Sequence, residues 1–225
     1  MASIKLNERS LNILKNFSSI NPSIVFKPGQ ELTTVSIGRK ILAKATIEQT
    51  IDSTFGIYEL NKFFGAISLF KDPSIRLEKS FLKIGEGGRS LLYSTANPSD
   101  IKSPDDDMPW DLPSSDVEFA VSGDMLKSML KAAGVLSQPH IVFEGDGSTV
   151  TMSTRNMDKP TSETYSEDVG EFNGGETPFK VVLKVENLKL LPGNYLVKIS
   201  KIMITQFIGD DVTYIIAVEA KDSTF

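Results

Sequence analysis

A chain of 225 residues with 40% hydrophobic and 24% charged positions has the balance of a folded protein, not of a disordered one. Its 24 basic against 29 acidic residues leave a net charge of −5, which excludes a uniformly basic nucleic-acid-binding surface but not a local basic patch. There is no cysteine and a single histidine, His140. Disulfides, thiolate metal sites, cysteine nucleophiles and paired-histidine metal centres are therefore excluded, and a Ser-His-Asp triad would hang on one residue.

The elements follow in chain order. The first twenty residues carry Lys5, Glu8, Arg9 and Lys15 with no apolar h-region, and nothing later approaches eighteen uninterrupted apolar residues. The expectation is a cytoplasmic protein with no membrane span. The spacing predicts an amphipathic helix over 8–20, with Asn7 as cap, Leu11, Leu14 and Phe17 on one side, Arg9, Asn12 and Asn16 opposite, and Lys15 on the boundary. Strands over 31–37 and 40–47 flank a Gly38-Arg39 turn. A second helix, 59–70, buries Leu60, Phe63, Phe64 and Ile67 and leaves Lys62 outside.

Alternation over 74–84 reads as one strand, and Gly85-Glu86-Gly87-Gly88-Arg89 as a hairpin turn into the strand 89–95. Residues 98–116, PSDIKSPDDDMPWDLPSSD, hold four prolines and six acids against one lysine, so they suit neither a helix nor a central strand. They read as an exposed linker, or else as a long loop within one domain. Beyond them come a helix over 123–136, with Ser122 as cap, Leu126, Met129, Leu130 and Ala133 inward and Lys127 and Lys131 outward, and then a hairpin over 141–154 around Asp146-Gly147. A short helix near 185–191 is stopped by Pro192-Gly193, with Leu188 and Leu191 inward and Lys189 outward. Strand-like runs at 194–204 and 212–220 complete the chain.

The two halves match in order. LNILKNFSSINPSIVF (11–26) parallels LKSMLKAAGVLSQPHIVF (126–143), YELNKFF (58–64) parallels VENLKLL (185–191), and the alternating and terminal strands correspond. This argues for an internal duplication: a domain 1–97, a linker 98–116 and a domain 117–225. Helices and antiparallel strands in this order give an α+β fold with helices covering one sheet face.

No catalytic constellation emerges. Asp105-Asp106-Asp107 is a metal candidate, but adjacent loop carboxylates bind tightly only with a fixed supporting shell. The glycines of 85–88 lack the phosphate-loop pattern and join two strands. No motif places a serine and an aspartate beside His140. The lysines carry more weight. Arg9, Lys62, Lys127, Lys131 and Lys189 lie on exposed helix faces, and Lys5 and Lys15 flank or lie in the first helix. Negative charge gathers instead in the linker and in 158–176, while Glu8, Glu59 and Asp124 sit at helix starts, where they favour the macrodipole. Such basic faces suit phosphate contacts that read no bases; simple solvation of surface lysines is the other, and by the residues alone the more ordinary, reading.

The stretches ILKNFSSIN (13–21), IYELNKFFGAISL (57–69), LPGNY (191–195) and YIIAVEAKDSTF (214–225) closely resemble the sliding clamps of T-even-like bacteriophages, which are DNA polymerase processivity factors. The likeness runs in order over nearly the whole chain and is weakest in 98–116 and 155–178. It implies two similar clamp domains per subunit, antiparallel sheets outside and helices inside, and three subunits closed head-to-tail into a ring around double-stranded DNA. It further implies docking of the C-terminal tail of the polymerase, opening and closing by an ATP-dependent clamp loader, contact with late-transcription factors in the infected bacterial cytoplasm, and no enzymatic activity or cofactor.

Lys15 and Lys189 lie inside matching motifs; Lys5, Arg9, Lys62, Lys127 and Lys131 rest on helix-face position. The implied partner surface sets Met108, Trp110 and Leu112 of the linker opposite Ile215 and Val218 of the last strand, with Trp110 an exposed anchor or else tucked onto its own domain. Two other readings stand beside the ring: a non-encircling nucleic-acid accessory or transcription co-activator of the same fold, and a metal-dependent nuclease using Asp105 to Asp107.

Overall fold

Apolar residues at three- and four-residue steps, preceded by a capping side chain, dictate the first element. In the computed structural model, which describes residues 3–172 and 178–225, α1 is Glu8–Ile20. The Asn7 side-chain oxygen accepts a hydrogen bond from the Ser10 amide at 2.8 Å. Ile13, Leu14 and Phe17 are fully buried, and the helix ends where Asn21 turns extended before Pro22. Leu11 is only half-buried, and Lys15 lies on the exposed stripe with Glu8 and Asn12 rather than on the boundary.

The chain divides into two units, Met1–Met108 and Pro109–Phe225. In the first, α1 leads to β1 (Ile24–Phe26), β2 (Gly29–Val35), β3 (Ile41–Ile51) and β4 (Phe55–Ile57). β2 and β3 form the predicted hairpin, with Arg39 in the left-handed region at φ 54°. β1 pairs antiparallel with β4, and Phe26 stacks on its cross-strand partner Phe55 with centroids 4.7 Å apart. The second helix, α2 (Leu60–Ile67), is shorter than the predicted 59–70; it buries Leu60, Phe63 and Ala66, while Phe64 and Ile67 are half-buried. A three-stranded antiparallel sheet follows, in the order β5 (Ser74–Glu78), β6 (Phe81–Glu86), β7 (Arg89–Ser94).

The second unit opens with β8 (Val117–Val121) and α3 (Gly123–Val135), whose cap Ser122 accepts from the Met125 amide. β9 (His140–Gly145), β10 (Thr149–Arg155), β11 (Ser166–Glu171) and β12 (Phe179–Lys184) form a sheet in the order β11-β10-β9-β12. β13 (Tyr195–Ser200), β14 (Ile204–Ile208) and β15 (Val212–Ala217) run antiparallel in succession, and β8 pairs on the free side of β13. Both units thus run helix, four strands, a helical segment, three strands. An Ile4–Ile75 bridge in the first stands where the β8–β13 ladder stands in the second.

Several expectations need correction. The alternation over 74–84 is two strands joined at Lys79-Ser80, with Lys79 at φ 52°; neither residue is a glycine or asparagine, so no hairpin signal is visible. The run 194–204 is likewise broken at 201–203, with Met203 at φ 64°. The helix expected near 185–191 is only a 3-10 turn, Val185–Asn187. Pro192 forces Leu191 out of the helical region, so too few residues remain for an α-helix.

Residues 98–116 are not a free linker. Ile101 is buried, the Asn21 side-chain amide donates to the carbonyls of Val35 and Lys102, and Lys27 pairs with Asp106. In the second unit Gln206 donates to the Trp110 carbonyl at 2.6 Å, and Asp116 accepts from the Lys201 amide. Trp110 is half-buried rather than exposed. The strands β8, β11 and β12 had no counterpart in the sequence reading. Residues 173–176 of the acidic stretch 158–176, and Met1 and Ala2, lie outside the described residues.

Candidate nucleic-acid interface

The exposed stripe of each helix follows from its buried one. On α1, burying Ile13, Leu14 and Phe17 turns Arg9, Asn12 and Lys15 outward. On α2, burying Leu60, Phe63 and Ala66 turns Lys62 outward. On α3, burying Leu126, Met129 and Ala133 aligns Lys127 and Lys131, four apart, on one exposed face. The ammonium groups of Lys15, Lys62, Lys127 and Lys131 make no ion pair among the described residues. These four cations are therefore held on rigid elements and left uncompensated.

The other expected DNA-facing residues differ. Lys5 is exposed but ion-paired with Asp72. Arg9 is exposed on α1. Lys189 is half-buried and lies on the extended segment after the 3-10 turn, not on a helix face. That segment is fixed by two phenols acting on one residue: the Leu191 amide donates to the Tyr214 hydroxyl at 3.1 Å, and the Tyr195 hydroxyl donates to the Leu191 carbonyl at 2.6 Å. The start of α3 packs tightly on the same turn. The Gly123 amide donates to the Asn194 side chain, and a Cβ on Gly123 would lie 2.9 Å from the Gly193 carbonyl oxygen. Between α3 and this turn lies an apolar groove of about 640 Å³ lined by Leu126, Leu130, Leu191 and Pro192, with Lys127 also lining it.

Of the expected partner surface, Met108, Trp110 and Leu112 are half-buried, whereas Ile215 and Val218 keep only 4% and 6% of their surface exposed. Asp105, Asp106 and Asp107 are exposed, Asp106 is ion-paired with Lys27, and among the described residues no cluster of three or more His, Asp or Glu could hold a metal ion. His140 is buried, its Nδ1 facing the Met157 amide at 3.5 Å. Among the described residues no helix is long and apolar enough to cross a membrane.

Sequence reasoning missed one charged group. Arg76 and Lys83 sit directly opposite each other across β5 and β6, on the exposed sheet face. A single strand over 74–84 would place them on opposite faces, because their spacing is odd; the turn at Lys79-Ser80 brings them together.

A helix-on-sheet unit built twice from one element order is the fold of the DNA clamps. The solved structure of A. fulgidus PCNA matches 97% of this chain and 98% of its own with a TM-score of 0.75 at 17% identity. Residues 7–84 match the family described as DNA polymerase processivity factor, and residues 118–220 the family described as gp45 sliding clamp, C terminal. The sliding clamp of Vibrio phage KVP40 is 29% identical over 222 residues, covering 96% of this chain and 100% of the phage protein. That of Enterobacteria phage T4 is 28% identical over 229 residues, covering 98% and 99%. The chain belongs to the sliding-clamp family of bacteriophage DNA polymerase processivity factors. The resemblance seen in the four sequence stretches and the expected α+β clamp fold are both borne out.

Proposed function

We propose that three copies of this chain close head-to-tail into a ring around duplex DNA and tether the replicative polymerase there, without catalytic activity of their own. One observation carries the reading: Lys15, Lys62, Lys127 and Lys131 stand uncompensated on three helices of a protein whose net charge is −5. Arg9, Lys5 and Lys189 join them toward the phosphates. A few separated cations give a nearly flat potential along the duplex axis, so the ring holds by topology and slides, where a continuous basic groove would grip one register. The two units, joined through 98–116, are equivalent clamp domains in this reading.

The polymerase docks its C-terminal tail on the surface carrying Met108, Trp110, Leu112, Ile215 and Val218. The A. fulgidus PCNA structure, with the C-terminal region of FEN-1 bound, supports docking of a terminal peptide on this fold. Because Ile215 and Val218 are nearly covered, the tail would meet mainly Trp110 and Leu112. Loading by an ATP-dependent clamp loader, contact with late-transcription factors and a site of action in the infected host cytoplasm complete the proposal. The test is retention on DNA after loading. An encircling clamp persists on nicked circles and is lost when the DNA is linearised. Equal retention on both forms would favour a non-encircling accessory of the same fold.

A further inference from the structure

The glycine-rich hairpin at 85–88 has no part in the reading above, and it borders a polar pocket of about 510 Å³ in the first unit. The ladder register shows what the pocket rests on. Ser74, Gly85 and Ser90 form one row across β5, β6 and β7, on the same exposed face as the neighbouring pair Arg76 and Lys83. A Cβ on Gly85 would lie 2.7 Å from the Arg89 carbonyl oxygen and 3.1 Å from the Ser90 Cβ, so only glycine lets the two strands meet here. The floor of the pocket is therefore bare backbone between two serines.

Four cations surround that floor, Lys5, Arg76, Lys83 and Arg89, against two acids, Asp72 and Glu86, a net of +2. Both acids are already engaged. Asp72 is ion-paired with Lys5. Glu86 accepts from the Lys71 amide at 2.9 Å and lies 3.8 Å from the Arg89 guanidinium. That guanidinium is also held over the Phe70 ring, 5.8 Å from its centroid. Arg76 and Lys83 are left with each other. They are direct cross-strand partners, like charges in that position cost stability, and neither makes an ion pair among the described residues.

We propose that this pocket binds a compact, multiply charged phosphoryl oxyanion, the chemistry shared by inorganic pyrophosphate and the triphosphate of a nucleotide. Seated between Arg76 and Lys83, such a group turns their repulsion into two charge-assisted contacts. The Ser74 hydroxyl spends its proton on a long bond, 3.3 Å to the Gly85 carbonyl, and is free to exchange it for an oxyanion. The volume lies within the range of small-ligand pockets, about 300–1,000 Å³. Four cations around one pocket fit a compact group, where a nucleic-acid strand would need them spread along a track. The glycines supply room and not the amide cradle of a phosphate loop, which needs a helix after it. The site lies within the first unit, so it stands whether or not the ring does.

The experiment is calorimetric titration of the full-length protein with inorganic pyrophosphate, at an ionic strength held constant with sodium chloride. A second arm uses adenosine triphosphate without divalent metal. Wild type is compared with R76Q/K83Q and with K40Q/K221Q, which removes the same charge at two exposed lysines outside the pocket. Wild type should bind, R76Q/K83Q should bind at least about tenfold more weakly, and K40Q/K221Q should stay within about twofold of wild type. R76Q/K83Q removes a repulsive pair, so its unfolding temperature without ligand should not fall below that of wild type; the single variants R76Q and K83Q should each lose part of the affinity. A nucleotide that binds more tightly than pyrophosphate assigns the site to nucleotides, and one that binds equally or less tightly assigns it to the free oxyanion. Failure of both probes to saturate wild type by about 10 mM would overturn the site. So would an unchanged affinity in R76Q/K83Q, or an equal loss in both double variants, which would reduce the binding to net charge.

Discussion

At the scale of the residue, several single groups hold backbone in place. The Asp146 carboxylate, at the β9–β10 turn, accepts hydrogen bonds from the Thr149 and Ser148 amides and the Ser148 hydroxyl. Those bonds, the Thr149 amide first, lower its pKa from 3.8 to about 2. The folded state therefore binds this proton less readily than the unfolded state. The resulting stabilisation is complete above pH 3.8 and lost as pH falls through about 2. D146N keeps an acceptor oxygen but not the charge, so the gap in urea midpoint between wild type and D146N should narrow between those two pH values; a constant gap would contradict it.

Tyr214 acts through burial instead. Its hydroxyl accepts from the buried Leu191 amide, so Y214F removes that acceptor. The expected loss is about 1–3 kcal/mol in chemical denaturation, the usual cost of an unpaired buried donor.

At the scale of the element, the three helices show how packing decides exposure. α1 and α3 were readable with their caps, because Asn7 and Ser122 act within three residues of themselves. The fourth helix failed for an equally local reason, the proline after Leu191. Lys127 and Lys131 project from α3, whose buried face lies on β9 and β10. Reversing both to glutamate should leave folding and subunit assembly unchanged while lowering loading or processive synthesis by about tenfold or more, since phosphate contacts are lost and like charge is introduced. Loss of the oligomer in that variant would instead assign these lysines to a contact between copies.

At the scale of the whole molecule, one order of elements recurs in both units. Light scattering at moderate salt should show three times 24.7 kDa, about 74 kDa, at high concentration, and a lighter species on dilution. A fixed two-subunit mass would contradict the trimer.

The sequence by itself determined the α+β class, the doubled order of elements, the long amphipathic helices and the family resemblance, because those depend on periodicity and on motifs within a few residues of one another. It also placed Lys62, Lys127 and Lys131 outward, since a helix that buries one stripe must expose the other, but left Lys15 on the boundary of its helix. Only the tertiary structure decided the rest. The hairpins at Lys79-Ser80 and at 201–203 rest on left-handed residues that carry no turn signature, and with them went the meeting of Arg76 and Lys83. The docking of 98–116 depends on Asn21, Lys27 and Gln206, residues 79 to 96 positions away from their partners. Contacts at that separation leave no period or spacing in the chain. They arise when the core has already brought distant backbone together, and buried polar groups must then be satisfied by whatever lies across from them.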